Sequence, residues 1–194
     1  MPAIPKRLPD PSWPALRARL EAAGHDTDRL LKLPLFVVAV RGLFSLTIGA
    51  PGNDINVYDD GLYVVQPAAN GDPVVKTWNA NTDPTRYGRN AHAGGKFMAR
   101  LKPGFWWMQE RLHGGRYRAF GQCESPVTVE RIDEAGNVRQ TETGCFGIDL
   151  HPGGINSTSS EGCQTVPRET WESLYNLIYK VMKRAPFPYI LMDA

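Results

Sequence analysis

From Pro34 onward the chain repeats one texture: short apolar or alternating runs, separated by clusters of Gly, Pro, Asn and Asp. Runs of roughly four to eight residues between turn formers are strand-length, and too short for packed helices. Leu35–Val40 reads as a buried strand, and Gly61–Gln66 and Pro73–Trp78 as two more. Val127–Ile132 alternates apolar and polar, Asp133–Asn137 supplies a turn, and Val138–Thr141 returns, which is a hairpin pattern. Cys145–Leu150 reads as a further strand, and Ile190 and Leu191 as part of a last one.

Two segments break this texture. Ser12 can cap a helix through Trp13–Glu21, with Trp13, Leu16 and Leu20 on one face and Gly24 at its end. Pro167 opens a second helix, with Trp171, Leu174, Leu177, Ile178 and Val181 spaced by three and four, and Pro186 stops it. The expectation is a mainly β, α+β domain over residues 34–194, behind an N-terminal extension, residues 1–33, that carries a packing helix.

Composition narrows the function. The chain has 194 residues, 42% hydrophobic and 22% charged, which supports a packed core rather than disorder. A net charge of +2 is too small to argue for nucleic acid. The longest apolar run, Leu33–Val40, falls short of a membrane span. No apolar core follows Met1–Lys6, so the expectation is a protein made in the cytoplasm without a signal peptide. The three cysteines, Cys123, Cys145 and Cys163, form no CxxC pair, and the four histidines form no HExxH motif. Metal-ligand spacing is therefore absent, and neither metal nor organic cofactor is expected. Cys123 and Cys145 are either a disulfide or two reduced packing residues; spacing does not choose between them.

The segment Gly147–Thr165 concentrates the chemistry. A strand ends in His151, a small polar Gly-rich loop follows, and the turn Ser160-Glu161-Gly162-Cys163 delivers a cysteine just ahead of a helix. A thiol needs deprotonation to attack, and a histidine within hydrogen-bond reach can take the proton and hold the thiolate as an ion pair. Gly162 permits a positive φ or a close backbone approach, and amides at such a turn can form an oxyanion hole. The helix after the turn would favour thiolate through its N-terminal dipole.

This segment resembles the active-site signature of the L,D-transpeptidase catalytic-domain (YkuD-type) family: a strand ending in His-Gly, a loop, then Ser-X-Gly-Cys. Leu150-His151-Pro152-Gly153 resembles the first half and Ser160-Glu161-Gly162-Cys163 the second. The resemblance implies a β-sandwich or barrel, Cys163 as nucleophile, His151 as base and peptidoglycan stem peptides as substrate. Gly162 is placed with the catalytic pair, and Ser160, Glu161, Gly153, Asn156 and Arg118 are candidate substrate contacts. Departures are the shorter loop, Glu161 where the family often has His, and Gln164-Thr165 after the cysteine. The phrasing around Phe44–Gly49, Tyr58–Gly61 and Asn79–Pro84 also resembles phage and prophage proteins of lysin size. That implies a wall-degrading protein carried to the periplasm by a holin or a secretion machine, with any immunity or delivery partner undefined.

Two other readings come from the residues. Glu161 can serve as the general acid of a muramidase, with Asp149 or Glu142 as the second carboxylate. The chain can also be a non-enzymatic wall-binding or virion protein. Trp106, Trp107, Tyr117 and Phe120 suit either a core or sugar stacking. His113–Arg118 reads as a solvated loop whose cations can hold a carboxylate.

Overall fold

A computed structural model describes residues 1–44, 55–69, 71–122 and 125–194. Ser45–Gly49 and Cys123 lie outside them, so the choice between a disulfide and two reduced thiols falls there too; Cys145 itself is exposed. The strands are β1 (Phe36–Arg41), β2 (Asp60–Gln66), β3 (Val74–Ala80), β4 (Met98–Leu101), β5 (Gly104–His113), β6 (Tyr117–Gln122), β7 (Val127–Ile132), β8 (Val138–Gly144), β9 (Asp149–Pro152), β10 (Gln164–Val166) and β11 (Phe187–Asp193). Among the described residues the helices are α1 (Trp13–Ala22), α2 (Thr27–Leu30) and α3 (Arg168–Met182), with a 3-10 turn at Ala91–Ala93. Strand occupies 39% of the chain and helix 18%, which makes the fold mainly β, as the punctuation predicts.

One sheet of eight strands runs in the order β10-β9-β6-β5-β11-β1-β2-β3, and β4-β7-β8 form a second sheet of three. The two edges of the large sheet meet at one point: Asn81, just past β3, exchanges both backbone hydrogen bonds with Thr165 of β10, each 2.8 Å. The sheet is thereby curled into a nearly closed barrel.

β1 explains the packing. All six of its residues are buried, so both faces of the sheet are covered there, and the strand reads as an unbroken apolar run rather than an alternating one. Val37 and Ala39 face the main core with Leu174, Tyr175, Ile178 and Met182 of α3. Phe36, Val38 and Val40 face a second core with Trp13, Leu16 and Leu20 of α1. Each fully buried aliphatic contributes about 1.5–3 kcal/mol. Ser12 caps α1 by accepting from Ala15 N, and residues 1–33 therefore serve as the cover of one sheet face.

Two expectations change. Residues 145–148 are not strand. The Gln122 side chain accepts from Phe146 N (2.9 Å) and Ile148 N (3.2 Å), and Gly147 takes a φ of +71°. An amide side chain replaces the ladder, and the backbone kinks just before β9. The stretch His113–Arg118 is the tight end of a long hairpin, β5–β6, with Arg116 N donating to His113 O at 2.9 Å.

Candidate active site

β9 and β10 are parallel neighbours, with Thr165 opposite His151 and Gln164 opposite Leu150. The pairing brings the end of the loop back beside its start. Cys163, the residue before β10, therefore lands next to His151.

His151 is 1% exposed. Its Nδ1 lies 2.8 Å from Pro152 O and 3.4 Å from Tyr117 Oη. A carbonyl can only accept, so Nδ1 carries the proton and Nε2 the lone pair. That Nε2 is buried and has no hydrogen-bond partner. Cys163 is 8% exposed, and its thiol lies 3.6 Å from Gly147 O, the carbonyl aimed by the kink before β9.

The turn is built from its own residues. Ser160 Oγ donates to Cys163 O at 2.7 Å and accepts from Gly162 N at 3.1 Å. Ser160 N donates to Thr85 Oγ1 at 2.8 Å, and Thr85 N donates to Ser160 O at 2.8 Å. Ser160 thus shapes the turn, with its hydroxyl spent inside it. Gly162 has a φ of +136°, and a Cβ there would lie 2.7 Å from Ala99 O. The position needs glycine on both counts. With its N–H committed to Ser160, Gly162 gives no free donor, which leaves the Cys163 amide as the candidate oxyanion donor.

The electrostatics run against a preformed ion pair. Burial pushes the Cys163 thiol up to about 12, against a backbone N–H of Asp149 that favours thiolate. Burial lowers His151 to about 4, partly offset by the bond to Pro152 O and reinforced by neighbouring His113. Both groups are neutral at rest. The helix dipole does not help the sulfur, because β10 separates the cysteine from the first turn of α3. Were Cys163 to act as a nucleophile, its proton would move during attack rather than before it.

Two further groups belong to the site. His113, 31% exposed at the end of β5, packs at a tilt against His151, 4.4 Å from ring centre to ring centre. Its Nδ1 lies 2.7 Å from Asp149 Oδ2. Asp149 is buried, and burial raises its carboxyl pKa, although His113 and Arg111 (3.7 Å) oppose that rise. Asp149 lies opposite Gly121 in the β6–β9 pair, and a Cβ on Gly121 would collide with its carboxylate. The only trace of this pairing in the sequence is that His113 and Tyr117 flank a Gly-Gly turn, as hairpin-end residues do.

A cavity of about 490 Å³ opens beside the cysteine, lined among others by Asn90, His92, His113, Arg131, Phe146, Glu161 and Cys163. Glu161 points into it with half its side chain exposed. It accepts from His92 Nδ1 at 2.7 Å and Asn90 Nδ2 at 3.1 Å. Partial burial works against its charge, but these two bonds outweigh that and hold the carboxyl below its ordinary range. The lining Arg131 is already paired with Glu142 at 2.9 Å. Gly153 and Arg118 line a separate hollow of about 420 Å³, with Tyr117, Arg168 and Trp171. Asn156 is exposed in the loop. Asn81 and Asp83 serve the barrel seam, where Asn81 Nδ2 donates to Asp83 O at 2.6 Å.

No protein-family model, no curated protein and no solved structure matches the chain. Among the described residues, no helix is long and apolar enough to cross a membrane.

The His151 shift has a measurable consequence. A histidine whose folded pKa lies below its unfolded value of about 6.5 makes the unfolded state the better proton binder between pH 6.5 and pH 4. Its contribution is fully present above pH 6.5 and is lost as pH falls through that window, by up to about 3 kcal/mol. Denaturant melts of wild type and His151→Gln in EDTA should converge as pH falls from 7 to 4; curves that stay parallel would contradict the buried neutral imidazole.

Proposed function

We propose that the chain is a peptidoglycan-acting cysteine enzyme of the L,D-transpeptidase type. The observation that carries this is an unpartnered, buried His151 Nε2 beside Cys163 on the wall of a solvent-open cavity. Cys163 Sγ attacks the carbonyl carbon of a stem-peptide bond, and its proton passes to His151 Nε2. The tetrahedral oxyanion is held by the Cys163 amide. Collapse expels the amine, which leaves with the proton from His151, and a thioester remains. Water or an acceptor amine then attacks the thioester, gives its proton to Nε2 and restores the thiol. Water gives hydrolysis; an amine gives exchange. Delivery by a holin or a secretion machine would bring such an enzyme to the wall as a lytic phage or antibacterial protein.

The muramidase reading draws less support from the same site. A glycosidase acid must hold its proton near neutral pH, which requires a raised pKa. The His92 and Asn90 bonds move Glu161 the other way. Mass spectrometry of fragments released from purified sacculi tests both readings. Cut or exchanged stem peptides should appear with wild type and vanish with Cys163→Ala. With Glu161→Gln they should persist within about fivefold, the kinetic equivalent of losing an exposed pair worth ~1 kcal/mol. Disaccharide products that vanish with Glu161→Gln would establish glycan cleavage instead. Binding to sacculi with no released fragment would mean a wall-binding protein.

A further inference from the structure

His113, His151 and Cys163 each offer one ligand atom, an imidazole nitrogen from each histidine and Sγ, and these lie within 4.8 Å of one another. They come from the end of β5, from β9 and from the turn before β10, so no local motif announces them. Each histidine has its Nδ1 already held, His113 by Asp149 Oδ2 at 2.7 Å and His151 by Pro152 O at 2.8 Å. Each therefore keeps Nε2 as its remaining ligand nitrogen. Carboxylate or carbonyl anchoring of the far nitrogen is the arrangement that orients metal-bound imidazoles. His151 Nε2 is buried without a partner, which is costly for a polar atom unless something fills the role. The fourth side opens on the cavity, where a water molecule has room.

We propose that these three residues form a binding site for a divalent metal ion of the zinc class, and that the bound ion silences the thiol. Two imidazoles and a thiolate are a donor set for zinc, cobalt or copper; calcium and magnesium need oxygen. Tetrahedral zinc places such ligand atoms about 3.3–3.6 Å apart, so the side chains must close by up to roughly 1 Å, and His113, at a strand end, is the least buried of the three. Binding displaces the Cys163 proton to solvent and forms a metal–sulfur bond, with no change of oxidation state. The sulfur and the His151 lone pair are then both occupied, so neither can act on a peptide. The silencing rests on the reading of Cys163 as nucleophile; the binding itself does not.

Cobalt(II) tests the site, because its thiolate complexes give a near-ultraviolet charge-transfer band. The protein is prepared metal-free with EDTA in a Cys123→Ala/Cys145→Ala background, so that Cys163 is the sole thiol. The expected result is a band saturating at one ion per chain, displaced by zinc and absent in Cys163→Ser. Affinity should fall at least about 10-fold in His113→Ala, and about 10- to 100-fold in Asp149→Asn, which removes the anchor of His113. The absence of a band at millimolar cobalt would overturn the proposal. So would a band of unchanged affinity in His113→Ala, a variant at a partly exposed strand end that leaves the core untouched. Sacculus digestion separates the two readings. Activity in the metal-free protein that zinc abolishes supports silencing. Activity only in the zinc-loaded protein would overturn silencing, and the cysteine mechanism with it. Inactivity of both forms with the cobalt band intact would sink the proposed function and leave the metal site standing.

Discussion

Cys163→Ala is expected to lower stem-peptide cleavage or exchange by about 10⁴-fold or more, the scale seen when a covalent nucleophile is removed. The fold should survive. The residue is buried at the end of a self-bonded turn, and the turn's bonds run through Ser160 and backbone atoms rather than through sulfur. A loss of about 1 kcal/mol, or roughly 2–4 °C in Tm, is the expected cost. The pH profile of the metal-free wild type should carry the same chemistry. His151 must be neutral to take the thiol proton, and its pKa of about 4 places the acid limb there. The thiol, held near 12, adds no limb near neutrality. The rate should therefore rise through about pH 4 and stay flat across pH 6–8. A limb near pH 6.5 would contradict a buried, neutral His151 as the base. Full activity in Cys163→Ala would remove the mechanism altogether.

Gly162→Ala should be the most damaging small substitution in the turn. An alanine at a φ of +136° costs on the order of 1–3 kcal/mol in backbone strain. The new Cβ would also lie 2.7 Å from a backbone oxygen, Ala99 O, and 3.2 Å from Ile148 Cδ1. A backbone oxygen in β4 cannot rotate aside, so the turn itself must shift. We expect a stability loss of about 3 kcal/mol, seen as a fall of roughly 6–12 °C in Tm. The same shift carries Cys163 with it, and a displacement of ~1 Å at a reacting atom costs about 10²-fold in rate. Thermal melts and sacculus assays at a temperature where the variant is fully folded separate the two effects. A variant that melts within 2 °C of wild type and digests normally would show that the turn tolerates a side chain.

Much of the architecture is readable from local pattern. β1 is an unbroken apolar run because both its faces are covered, and α3 shows its three-and-four spacing because only one face is. Cys163 and His151 are legible because a strand-end histidine and a Gly-Cys turn lie close in sequence. The long hairpin β5–β6 is not legible: Glu110, Arg111, Arg116 and Arg118 interrupt its apolar positions, and Phe105, Trp107 and Leu112 face outward. His113 and Asp149 escape for a different reason. Their contact spans β5, β6 and β9, and depends on Gly121 leaving space between the strands, which no periodicity records. The Gly147 kink escapes because Gln122, a side chain, substitutes for a strand partner.

The parallel β9–β10 pair gives the loop between them an unusual independence. Its far end is pinned by Thr85 and by Asn56, which accepts from Thr158 N at 2.9 Å, and its near end by Gly153 N donating to Val166 O at 2.9 Å. Only the tip around Gly154–Ser157 lies between those anchors. The strands, not the tip, set the distance from His151 to Cys163, and chain closure grows only slowly with added length. The tip is thus an exchangeable cassette: longer or bulkier sequences can be grafted there while His151 and Cys163 keep their spacing.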